Sequence, residues 1–446
     1  MKKYNNYKQT FVDWIGEIPE QWKVKPLMAV LQQRNEKNDP VKTEQILSLS
    51  IADGVTLYSH IGRGGNKSKG DLTAYKIAHE GDIVMNSMNV IVGAVGLSRY
   101  FGAISPVYYA LFPKDDSVEI KFYENIFKSK AFQKFLMVYG KGILIKKSAS
   151  GKLNTIRMKV SSTDLRRTLL PVPAYIEQVA IGQALDEANR KIDKVVEGKR
   201  QYINLLKEYK QSKINELVTK GLNPNVKMKD SGIEWLGEIP EHWDTLRLKT
   251  IISTSKNGIW GEDVNQNKHN YPCIRVADFD YTHYCVKDEI LTLRSYADKD
   301  IVYLIEEPSV LIEKSGGGEK MPVGRIVYYN SSKPCMCSNF ISRIKVKEEK
   351  VLLQYFVYFM SVLYSKRVIT KSIKATTGIQ NIDEYSLFAE KILIPPVNEQ
   401  SQIVNIIKSV IGKYDQLVEK AEKQIELIQQ YRQSLIYELV TGKRKP

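Results

Sequence analysis

The chain has 446 residues, is 43% hydrophobic, and carries a formal net charge of +16 with a pI of about 9.3. Such a chain predicts about two to four folded domains and favours a polyanionic partner, nucleic acid ahead of a membrane surface. The polar N-terminus lacks a signal-peptide core, and the longest apolar stretch, Leu352 to Tyr364, is too short to span a bilayer. We therefore expect a cytoplasmic protein without a membrane partner, although a basic protein with no polyanionic partner stays an alternative.

The chain opens with a motif that recurs later. Trp14-Ile-Gly-Glu-Ile-Pro-Glu-Gln-Trp22 returns as Trp235-Leu-Gly-Glu-Ile-Pro-Glu-His-Trp243, at an offset of 221. Gly and Pro favour a turn, and the tryptophans supply apolar anchors on either side. Glu17 and Glu20 have no histidine or nucleophile beside them, so the motif is interpreted as structural rather than catalytic.

A mixed region of short strand-like runs and one helix follows each motif, and a basic loop comes after the helix. Between Lys141 and Arg167 lie eight Lys or Arg residues and one acid, Asp164. The corresponding loop of the second half carries Lys366, Arg367, Lys371 and Lys374, with no acid before Asp383. The two regions share their order of elements but little sequence, which indicates two similar α/β domains that recognise different targets.

A long helical repeat closes each half. Residues 177–219, EQVAIGQALDEANRKIDKVVEGKRQYINLLKEYKQSKINELVT, match residues 399–441 after adding 222, without a gap. Apolar residues recur at steps of four and three, which predicts a coiled-coil seam. In the first copy we expect this seam to contain Ile181, Leu185, Ala188, Ile192, Val195, Tyr202, Leu206 and Tyr209. In the second we expect Ile403, Ile407, Val410, Tyr414, Leu417, Ala421, Gln424, Ile428, Tyr431 and Leu435.

Connectivity makes the two helices antiparallel, because the second returns from the end of the first. The expected fold is α+β: two similar α/β domains separated by two long helices in an antiparallel coiled coil, with a pseudo-two-fold, circular arrangement. Each helix would measure roughly 65 Å. The predicted segments are residues 1–172 and 222–396 for the two recognition domains, and 173–221 and 397–446 for the helices. Packing of each helix on its own domain alone is the alternative.

Motifs of catalysis and metal binding are missing. There is no GxxxxGK[ST] loop, no dinucleotide fingerprint and no Asp/Asn-Pro-Pro-Tyr run. Glu-x-Lys pairs at Glu197/Lys199 and Glu348/Lys350 fall in the predicted coiled coil and in a surface turn. Cys335 and Cys337, with Cys273, Cys285 or His283, lack the usual Cys-x-x-Cys zinc spacing. We expect a non-catalytic protein without a bound metal or cofactor.

Candidate DNA contacts are basic residues for phosphates and side chains with directed donors and acceptors for bases. The phosphate candidates are Lys146, Lys147, Lys152, Arg157, Lys371 and Lys374. The base candidates are Arg63, Asn66, Lys67, Asn86, Ser87, Asn89, Lys256, Asn257, Arg275, Lys314 and Ser315.

This arrangement of repeats and anchor motifs resembles the DNA-specificity subunit of type I restriction–modification systems. The resemblance covers essentially the whole chain. It implies two target-recognition domains, an asymmetric bipartite target, and partners consisting of double-stranded DNA, two methyltransferase subunits and two restriction/translocase subunits. S-adenosylmethionine, ATP and Mg²⁺ would be used by those partners. The alternatives are an unrelated coiled-coil architectural DNA-binding protein, or a specificity module with its own nuclease or methyltransferase activity.

Overall fold

A computed structural model describes residues 3–51, 53–58, 70–143, 146–147, 153–154, 157–266, 268–331, 333–376 and 378–446. The chain forms two compact units. Unit 1 contains Met1–Lys199 and Lys423–Pro446, and unit 2 contains Arg200–Glu422. Each unit therefore takes one part of each long helix, so the compact units do not follow the sequence order of the predicted segments.

The first half of the chain contains sixteen named strands and four α-helices within the described residues. Its strands are β1 Tyr7–Gln9, β2 Glu17–Pro19, β3 Lys23–Pro26, β4 Leu31–Arg34, β5 Leu47–Ser50, β6 Gly54–Leu57, β7 Lys76–Ala78, β8 Ile83–Asn86, β9 Val95–Leu97, β10 Gly102–Ile104, β11 Tyr108–Pro113, β12 Gly140–Ile143, β13 Lys146–Lys147, β14 Leu153–Asn154, β15 Arg157–Val160 and β16 Leu169–Val172. Its helices are α1 Ile120–Lys128, α2 Lys130–Leu136, α3 Ser162–Arg167 and the long α4 Tyr175–Lys220.

The second half repeats this order with different contents. Its strands are β17 Met228–Asp230, β18 Glu238–Pro240, β19 Asp244–Arg247, β20 Ile252–Asn257, β21 His269–Ile274, β22 Phe279–Asp280, β23 Cys285–Val286, β24 Leu293–Tyr296, β25 Ser309–Glu313, β26 Ser315–Gly316, β27 Ile326–Tyr329, β28 Met336–Cys337, β29 Ile341–Val346, β30 Ile373–Thr376, β31 Ile379–Ile382 and β32 Lys391–Ile394. Its helices are α5 Leu248–Ile251, α6 Leu353–Ser365, α7 Glu384–Ala389 and the long α8 Val397–Val440.

The main sheets of the two units differ in size. Unit 1 has a four-stranded antiparallel sheet in the order β4-β11-β8-β9. Unit 2 has a six-stranded sheet in the order β20-β29-β25-β27-β23-β22, in which only the β23–β27 pair is parallel. Each unit closes with the same two-stranded pair, β3 with β16 and β19 with β32. The two units therefore share the closing strand pair but differ in their main sheets.

The repeated tryptophan motif forms a β-hairpin in each unit, as its glycine and proline favour. β1 pairs with β2 and β17 with β18 in the same register, shifted by 221 residues. The connecting loop repeats as well: Thr10 N–H donates to Gly16 O at 3.1 Å, and Ser231 N–H donates to Gly237 O at 3.0 Å. The predicted turn is confirmed, and its backbone hydrogen bonds repeat in the second unit.

The glutamate that opens each long helical repeat holds the hairpin of its own unit. The indole N–H of Trp22 donates to Glu177 at 2.8 Å, and that of Trp243 donates to Glu399 at 3.0 Å. Both indoles are fully buried. A buried indole N–H needs a hydrogen-bond acceptor. In each unit the tryptophan motif therefore supplies the donor, and the long helical repeat supplies the acceptor, of the same hydrogen bond.

The glutamine that follows each glutamate satisfies backbone groups at the start of the helix. Gln178 donates to Pro173 O at 2.9 Å, and Gln400 donates to Pro395 O at 2.8 Å. Gln400 also accepts from the N–H of Leu352, which precedes α6, at 2.9 Å. Both glutamines are buried, which explains why an amide rather than a charge occupies this position.

The two long helices pack together antiparallel in each unit, as predicted. In unit 1 the early α4 residues Ile181 and Leu185 share a core with the late α8 residue Leu435. In unit 2 the late α4 residue Ile214 shares a core with the early α8 residue Ile403. Packing of each helix on its own domain alone is therefore excluded.

Two ion pairs join the helices at equivalent positions of the repeat. In unit 1 Asp193 of α4 pairs with Arg432 of α8. In unit 2 Lys210 of α4 pairs with Asp415 of α8 at 2.9 Å. Adding 222 converts Asp193 into Asp415 and the Lys210 position into that of Arg432, so both pairs obey the symmetry of the repeat.

The predicted seam of α4 is correct at its start and again at Leu206 and Tyr209, and wrong in between. Val195 and Tyr202 are 48% and 42% exposed, whereas Tyr209, although 60% exposed, contacts the predicted seam residue Tyr414 of α8, with ring centroids 5.7 Å apart. The buried residues are instead Ile181, Leu185, Ile192, Val196, Ile203, Leu206, Lys210, Ile214 and Leu217. A strict seven-residue repeat drifts against the 3.6-residue period of a straight helix, and the extra step of four at Val196 absorbs that drift.

The seam of α8 shows the same deviation. Ile403, Ile407, Ala421 and Leu435 are buried as predicted, whereas Tyr431 is 51% exposed. Gln424 is exposed too, and Ile411 is buried in place of the half-buried Val410. The predicted heptads therefore locate the two helices correctly but do not give their packing face along the full length.

Phe11 occupies a strained position at the tip of the first hairpin. Its φ is +55°, in the left-handed region, and its side chain is 94% exposed. This conformation costs an L-residue about 1–2 kcal/mol. The equivalent residue of the second hairpin is Gly232, which has φ +64° and tolerates that backbone freely.

None of the helices in the described ranges combines the length and apolar character that crossing a membrane requires. All four cysteines are reduced, and Cys273, Cys335 and Cys337 are buried. Cys273 pairs with Met336 on adjacent parallel strands, which places these thiols in the interior by packing. Burial raises the pKa of the Cys335 thiol to about 11.

Candidate nucleic-acid interface

Two polar strand ends meet at one edge of the main sheet of unit 2. β20 and β25 both run antiparallel to β29, which lies between them, so they are parallel to each other. Asn257 and Ile312 lie opposite Ser342 from either side. The residues that end β20 and follow β25, Asn257 and Lys314, must therefore emerge at the same sheet edge.

The side chains at this edge form one hydrogen-bonded cluster. The Lys314 ammonium donates to Asn257 Oδ1 at 2.8 Å, and the Ser342 hydroxyl donates to the same oxygen at 2.7 Å. Glu384 lies 3.8 Å from Lys314 and accepts from Ser342 at 3.1 Å. We call Asn257, Lys314, Ser342 and Glu384 the sheet-edge cluster; it holds a lysine and an amide in fixed positions.

The basic hairpin of unit 2 is joined directly to this edge. β26 pairs with β31, and the Ser315 hydroxyl donates to Asn381 Oδ1 at 2.6 Å. β31 pairs in turn with β30, which places Lys374 opposite Asn381. Lys374 is exposed, and its hydrogen bond lowers the pKa of the Asp383 carboxyl. Lys371 is exposed just before the hairpin.

A cleft of about 590 Å³ opens beside the sheet-edge cluster. Its wall is formed by residues of several loops and strand ends: Trp260, Arg275, Val276, Ala277, Glu313, Ser315, Gly316, Gly317, Ser338, Asn339 and Phe340. Gly317 is required here, because its φ is +58° and an added Cβ would lie 2.7 Å from the backbone nitrogen of Val323. The cleft brings together Arg275 and Ser315, two of the residues predicted to contact bases.

Two partly exposed aromatic side chains border this cleft. Trp260 is 38% exposed and Phe340 is 43% exposed. The guanidinium of Arg294 lies 4.8 Å from the Trp260 ring centroid and also pairs with Asp263. A cation over the indole face favours one orientation of the ring. Aromatic faces held in this way offer stacking surfaces for nucleobases.

Arg275 is held by a carboxylate next to the cleft. Its guanidinium donates twice to Asp278, at 3.2 and 3.1 Å, which raises the pKa of Arg275. Asp278 is buried, whereas the Arg275 side chain is 40% exposed. The Asp278 carboxylate therefore fixes the orientation of the Arg275 guanidinium, part of which stays exposed. An exposed guanidinium in a fixed orientation suits hydrogen bonding to the edge of a guanine base.

Lys256 lies on the other side of Asn257. It is exposed and lines a second cavity of about 520 Å³ together with Asn257, Arg343 and Lys345. Arg343 and Lys345 both pair with Glu307, at 2.8 and 2.7 Å. Of the predicted residues of the second domain, Lys256 and Asn257 thus line this second cavity, Arg275 and Ser315 line the cleft, and Lys314 is joined to Asn257 by its hydrogen bond.

The predicted residues of unit 1 are placed less uniformly. Asn86 ends β8, and its side chain accepts from the N–H of Met88 at 3.0 Å. Asn89 is half-buried and precedes a short 3-10 helix, Val90–Val92. Ser87 is only 1% exposed, so its hydroxyl lies inside the unit and presents almost no surface to a ligand.

The basic loop of unit 1 is described only in part. Lys146 and Lys147 form β13, which pairs with β14, and Arg157 lies opposite Ile143 in the β12–β15 pair. The β12–β15 pair corresponds in chain order to the β30–β31 pair of unit 2. Arg63, Asn66, Lys67 and Lys152 lie outside the described residues.

The structure adds residues that the sequence did not single out. In unit 1 the ammonium of Lys76 donates to Tyr108 O at 3.1 Å, and burial, with a smaller effect of the neighbouring Lys159, lowers the pKa of Lys76. In unit 2 the additions are Trp260 and Phe340. Their signal in the sequence was an aromatic residue inside a polar, turn-rich run, NGIWGED for Trp260 and CSNFIS for Phe340. Such a signal is weak, because most aromatic residues in loops pack inward.

The sequence is similar to those of known proteins. Residues 240–427 match the family model of the type I restriction modification DNA specificity domain. The specificity subunit of the type I restriction enzyme StySPI from Salmonella potsdam is 23% identical over 369 residues, covering 82% of this chain and 71% of that protein. The MjaVIII specificity subunit from Methanocaldococcus jannaschii is 23% identical, and the alignment spans 61% of each chain.

A solved structure on complex assembly and conformational transition of the type I R-M system contains a chain with the same fold. The TM-score is 0.64 at 13% identity, over 95% of this chain and 98% of that chain. The repeated hairpins and long helices, each with its own sheet, define a protein of two similar modules. The chain is thus similar to specificity subunits of type I restriction enzymes, and residues 240–427 carry the match to the DNA specificity domain of that family.

Proposed function

We propose that this chain is the subunit that reads DNA sequence for a type I restriction–modification complex. Each unit reads one part of an asymmetric, bipartite target. The observation that supports this most is that the two units share their hairpins and helix contacts but differ in their sheets and polar surfaces. The Trp–Glu contacts and the hairpins repeat at offsets of 221 and 222, whereas the sheets and polar surfaces they carry differ.

In unit 2 the cleft and the sheet-edge cluster together form the proposed base-reading surface. Arg275, Lys314 and Asn257 present directed donors and acceptors, while Trp260 and Phe340 supply flat apolar faces. Lys256, Lys371 and Lys374 surround this surface with positive charge, which suits neighbouring phosphates. In unit 1 the corresponding charges come from the β12–β15 region and from Lys76.

Catalysis is assigned in this proposal to partner subunits. Two methyltransferase subunits and two restriction subunits would assemble with the chain, and they would use S-adenosylmethionine, ATP and Mg²⁺. The support is the similarity to proteins named as specificity subunits of type I restriction enzymes. The exposed faces of α4 and α8 are the proposed docking surfaces.

Exchange of one recognition domain tests the proposal. Residues 1–172 are replaced by the equivalent residues of a relative with a different target, and the chain is expressed with its methyltransferase subunit. We expect the methylated sequence to change in one part only, because unit 2 keeps its own cleft. Single-molecule methylome sequencing gives both parts of the target directly.

The reciprocal exchange of residues 222–396 is the matched control and should change only the other part. A change in both parts after either exchange would contradict reading by separate units. Loss of methylation in both chimeras, with the purified chimeras folded by circular dichroism, would count against the assignment of the two domains.

A further inference from the structure

One amide in the sheet-edge cluster of unit 2 has its acceptor oxygen fully occupied by the protein itself. The Lys314 ammonium and the Ser342 hydroxyl both donate to Asn257 Oδ1, at 2.8 and 2.7 Å. An ammonium has donors only, so the amide must turn its oxygen, and not its amino group, towards Lys314. An amide oxygen has two lone pairs, and both lone pairs of Asn257 Oδ1 are therefore used.

The carboxylate of Glu384 supports this arrangement. The Ser342 side chain is buried, and its hydroxyl oxygen lies 2.7 Å from Asn257 Oδ1 and 3.1 Å from Glu384 Oε1. Glu384 Oε1 also accepts from the Ser255 hydroxyl at 3.0 Å and lies 3.8 Å from the Lys314 ammonium. Because Ser255 supplies a donor to the carboxylate, the single hydrogen of the Ser342 hydroxyl is available to Asn257.

The cluster presents two adjacent donors at the surface. Asn257 is exposed, and the hydrogen bonds that its side chain makes within the described part of the chain both end on its oxygen. The Lys314 side chain is 26% exposed and uses one of its three N–H donors on Asn257. The amino group of Asn257 and the ammonium of Lys314 are adjacent because both neighbour the same oxygen atom.

Two adjacent donors match the major-groove edge of guanine. Guanine presents two acceptors there, O6 and N7, whereas adenine presents the acceptor N7 and an amino group. An asparagine that recognises adenine must accept from that amino group through its side-chain oxygen while it donates to N7. Since the oxygen of Asn257 is already occupied, the amino group of an adenine would meet donors only.

Unit 1 has different chemistry at the equivalent position. The N–H of Ile382 donates to Lys314 O at 2.8 Å, and the N–H of Val160, 222 residues earlier, donates to Ser87 O at 3.0 Å. Ser87 therefore takes the place of Lys314 in unit 1, and it is only 1% exposed. The donor pair is thus a feature of unit 2 and concerns the part of the target that unit 2 reads.

We propose that Asn257 and Lys314 read a guanine in the part of the target recognised by unit 2, and that the occupied oxygen of Asn257 excludes adenine at that position. The inference rests on the proposed function and adds the identity of one base to it. Lys314 has two roles here, because it donates to the base and also determines which way the amide of Asn257 faces.

Removal of the ammonium tests this assignment. Lys314→Met keeps the length of the side chain and releases one lone pair of Asn257 Oδ1, so the amide can pair with either purine. Methylome sequencing gives the wild-type target, and the exchange of residues 222–396 shows which part unit 2 reads. Affinities of the assembled complex are then measured for duplexes in which each base of that part is changed in turn. We expect the preference for guanine over adenine at one position, about 10- to 100-fold in the wild type, to fall below about threefold.

Three further variants separate base reading from charge. Lys314→Arg keeps a cation that donates to Asn257 and should retain the preference for guanine. Asn257→Ala loses the amide, so the preference should fall without any increase in affinity for adenine. Lys374→Met removes a lysine whose side chain is 73% exposed on the same unit, and it should weaken binding to all duplexes alike.

An unchanged preference for guanine in Lys314→Met or in Asn257→Ala would overturn the proposal. An equal loss for every duplex in Lys314→Met would also overturn it, because Lys314 would then be a phosphate contact. A wild-type target without a G·C pair in the part read by unit 2 would refute the base assignment and leave the proposed function intact. A wild-type complex that methylates no defined sequence would remove the proposed function and this inference with it.

Discussion

Trp260→Ala is expected to weaken specific DNA binding by the assembled complex about 10- to 100-fold, because a stacked or wedged aromatic ring contributes about 1–3 kcal/mol. Trp260 borders the cleft of unit 2 and is held under the Arg294 guanidinium. Its contribution is apolar, so the dependence of affinity on salt should keep its slope. Fluorescence anisotropy with a duplex containing the target, at several salt concentrations, measures both quantities.

Lys256→Ala is the companion variant, and it should change the salt dependence of DNA binding, which Trp260→Ala leaves unchanged. Removing one phosphate contact should weaken binding to all sequences and lower the salt slope by about 1. Tyr385→Ala removes an aromatic ring that is 89% exposed on the same unit and should change neither quantity. Equal losses for specific and random duplexes in the Trp260 variant would show that the cleft does not discriminate between bases.

Trp243→Ala is expected to destabilise unit 2 by about 3–5 kcal/mol, as do other truncations of a large buried aromatic residue. Trp243 is fully buried in the core that also contains the end of α4 and the start of α8. Its indole N–H is bonded to Glu399, so the variant loses a hydrogen bond as well as its packing. Denaturant unfolding followed by circular dichroism gives the free energy of unfolding.

Trp260→Ala serves as the control for this measurement too, because Trp260 is partly exposed and its removal should cost less than about 1 kcal/mol. Trp243→Phe should fall between the two, since it keeps one aromatic ring in the core but loses the second ring and the N–H donor. A free energy of unfolding that is the same for Trp243→Ala and the wild type would mean that the repeated Trp–Glu contact does not hold the hairpin.

The repeats made much of the frame predictable from the sequence. A shift of 221 or 222 residues locates both hairpins, both long helices and their direction, because the same side chains must make the same contacts twice. The α+β class and the antiparallel helices follow from that symmetry. The pairing of Trp22 with Glu177 could not be derived, because the two residues are 155 positions apart and neither position alone indicates its partner.

Helix packing faces were predicted less well, for a reason of geometry. Heptad counting places Val195 and Tyr202 in the seam, but a nearly straight helix turns its face by about 20° per heptad. The buried position therefore moves one residue along, to Val196 and Ile203, and a lysine takes the next position. Lys210 is buried because Asp415 lies opposite it, and a pattern search for apolar residues passes over such a position.

The candidate interface was predictable in unit 2 only as a set of polar residues. Asn257 and Lys314 come together because β20 and β25 flank the same strand, a pairing order that short strand runs do not reveal. Ser87 has the polarity of a base contact but is buried beside β8, since its place depends on the packing of the loop that follows the strand. Residue type indicates chemistry, whereas the sheet order decides which side chains share a surface.

The two ion pairs between the long helices have a consequence for how copies of the chain can combine. Positions 193 and 415 are both aspartate, and positions 210 and 432 are both basic. An α4 helix laid antiparallel on another α4 would therefore set Asp193 against Lys210 in both directions. The helical seam is self-complementary, and a half-length chain with one recognition domain and one long helix has the charges required to form a symmetric homodimer.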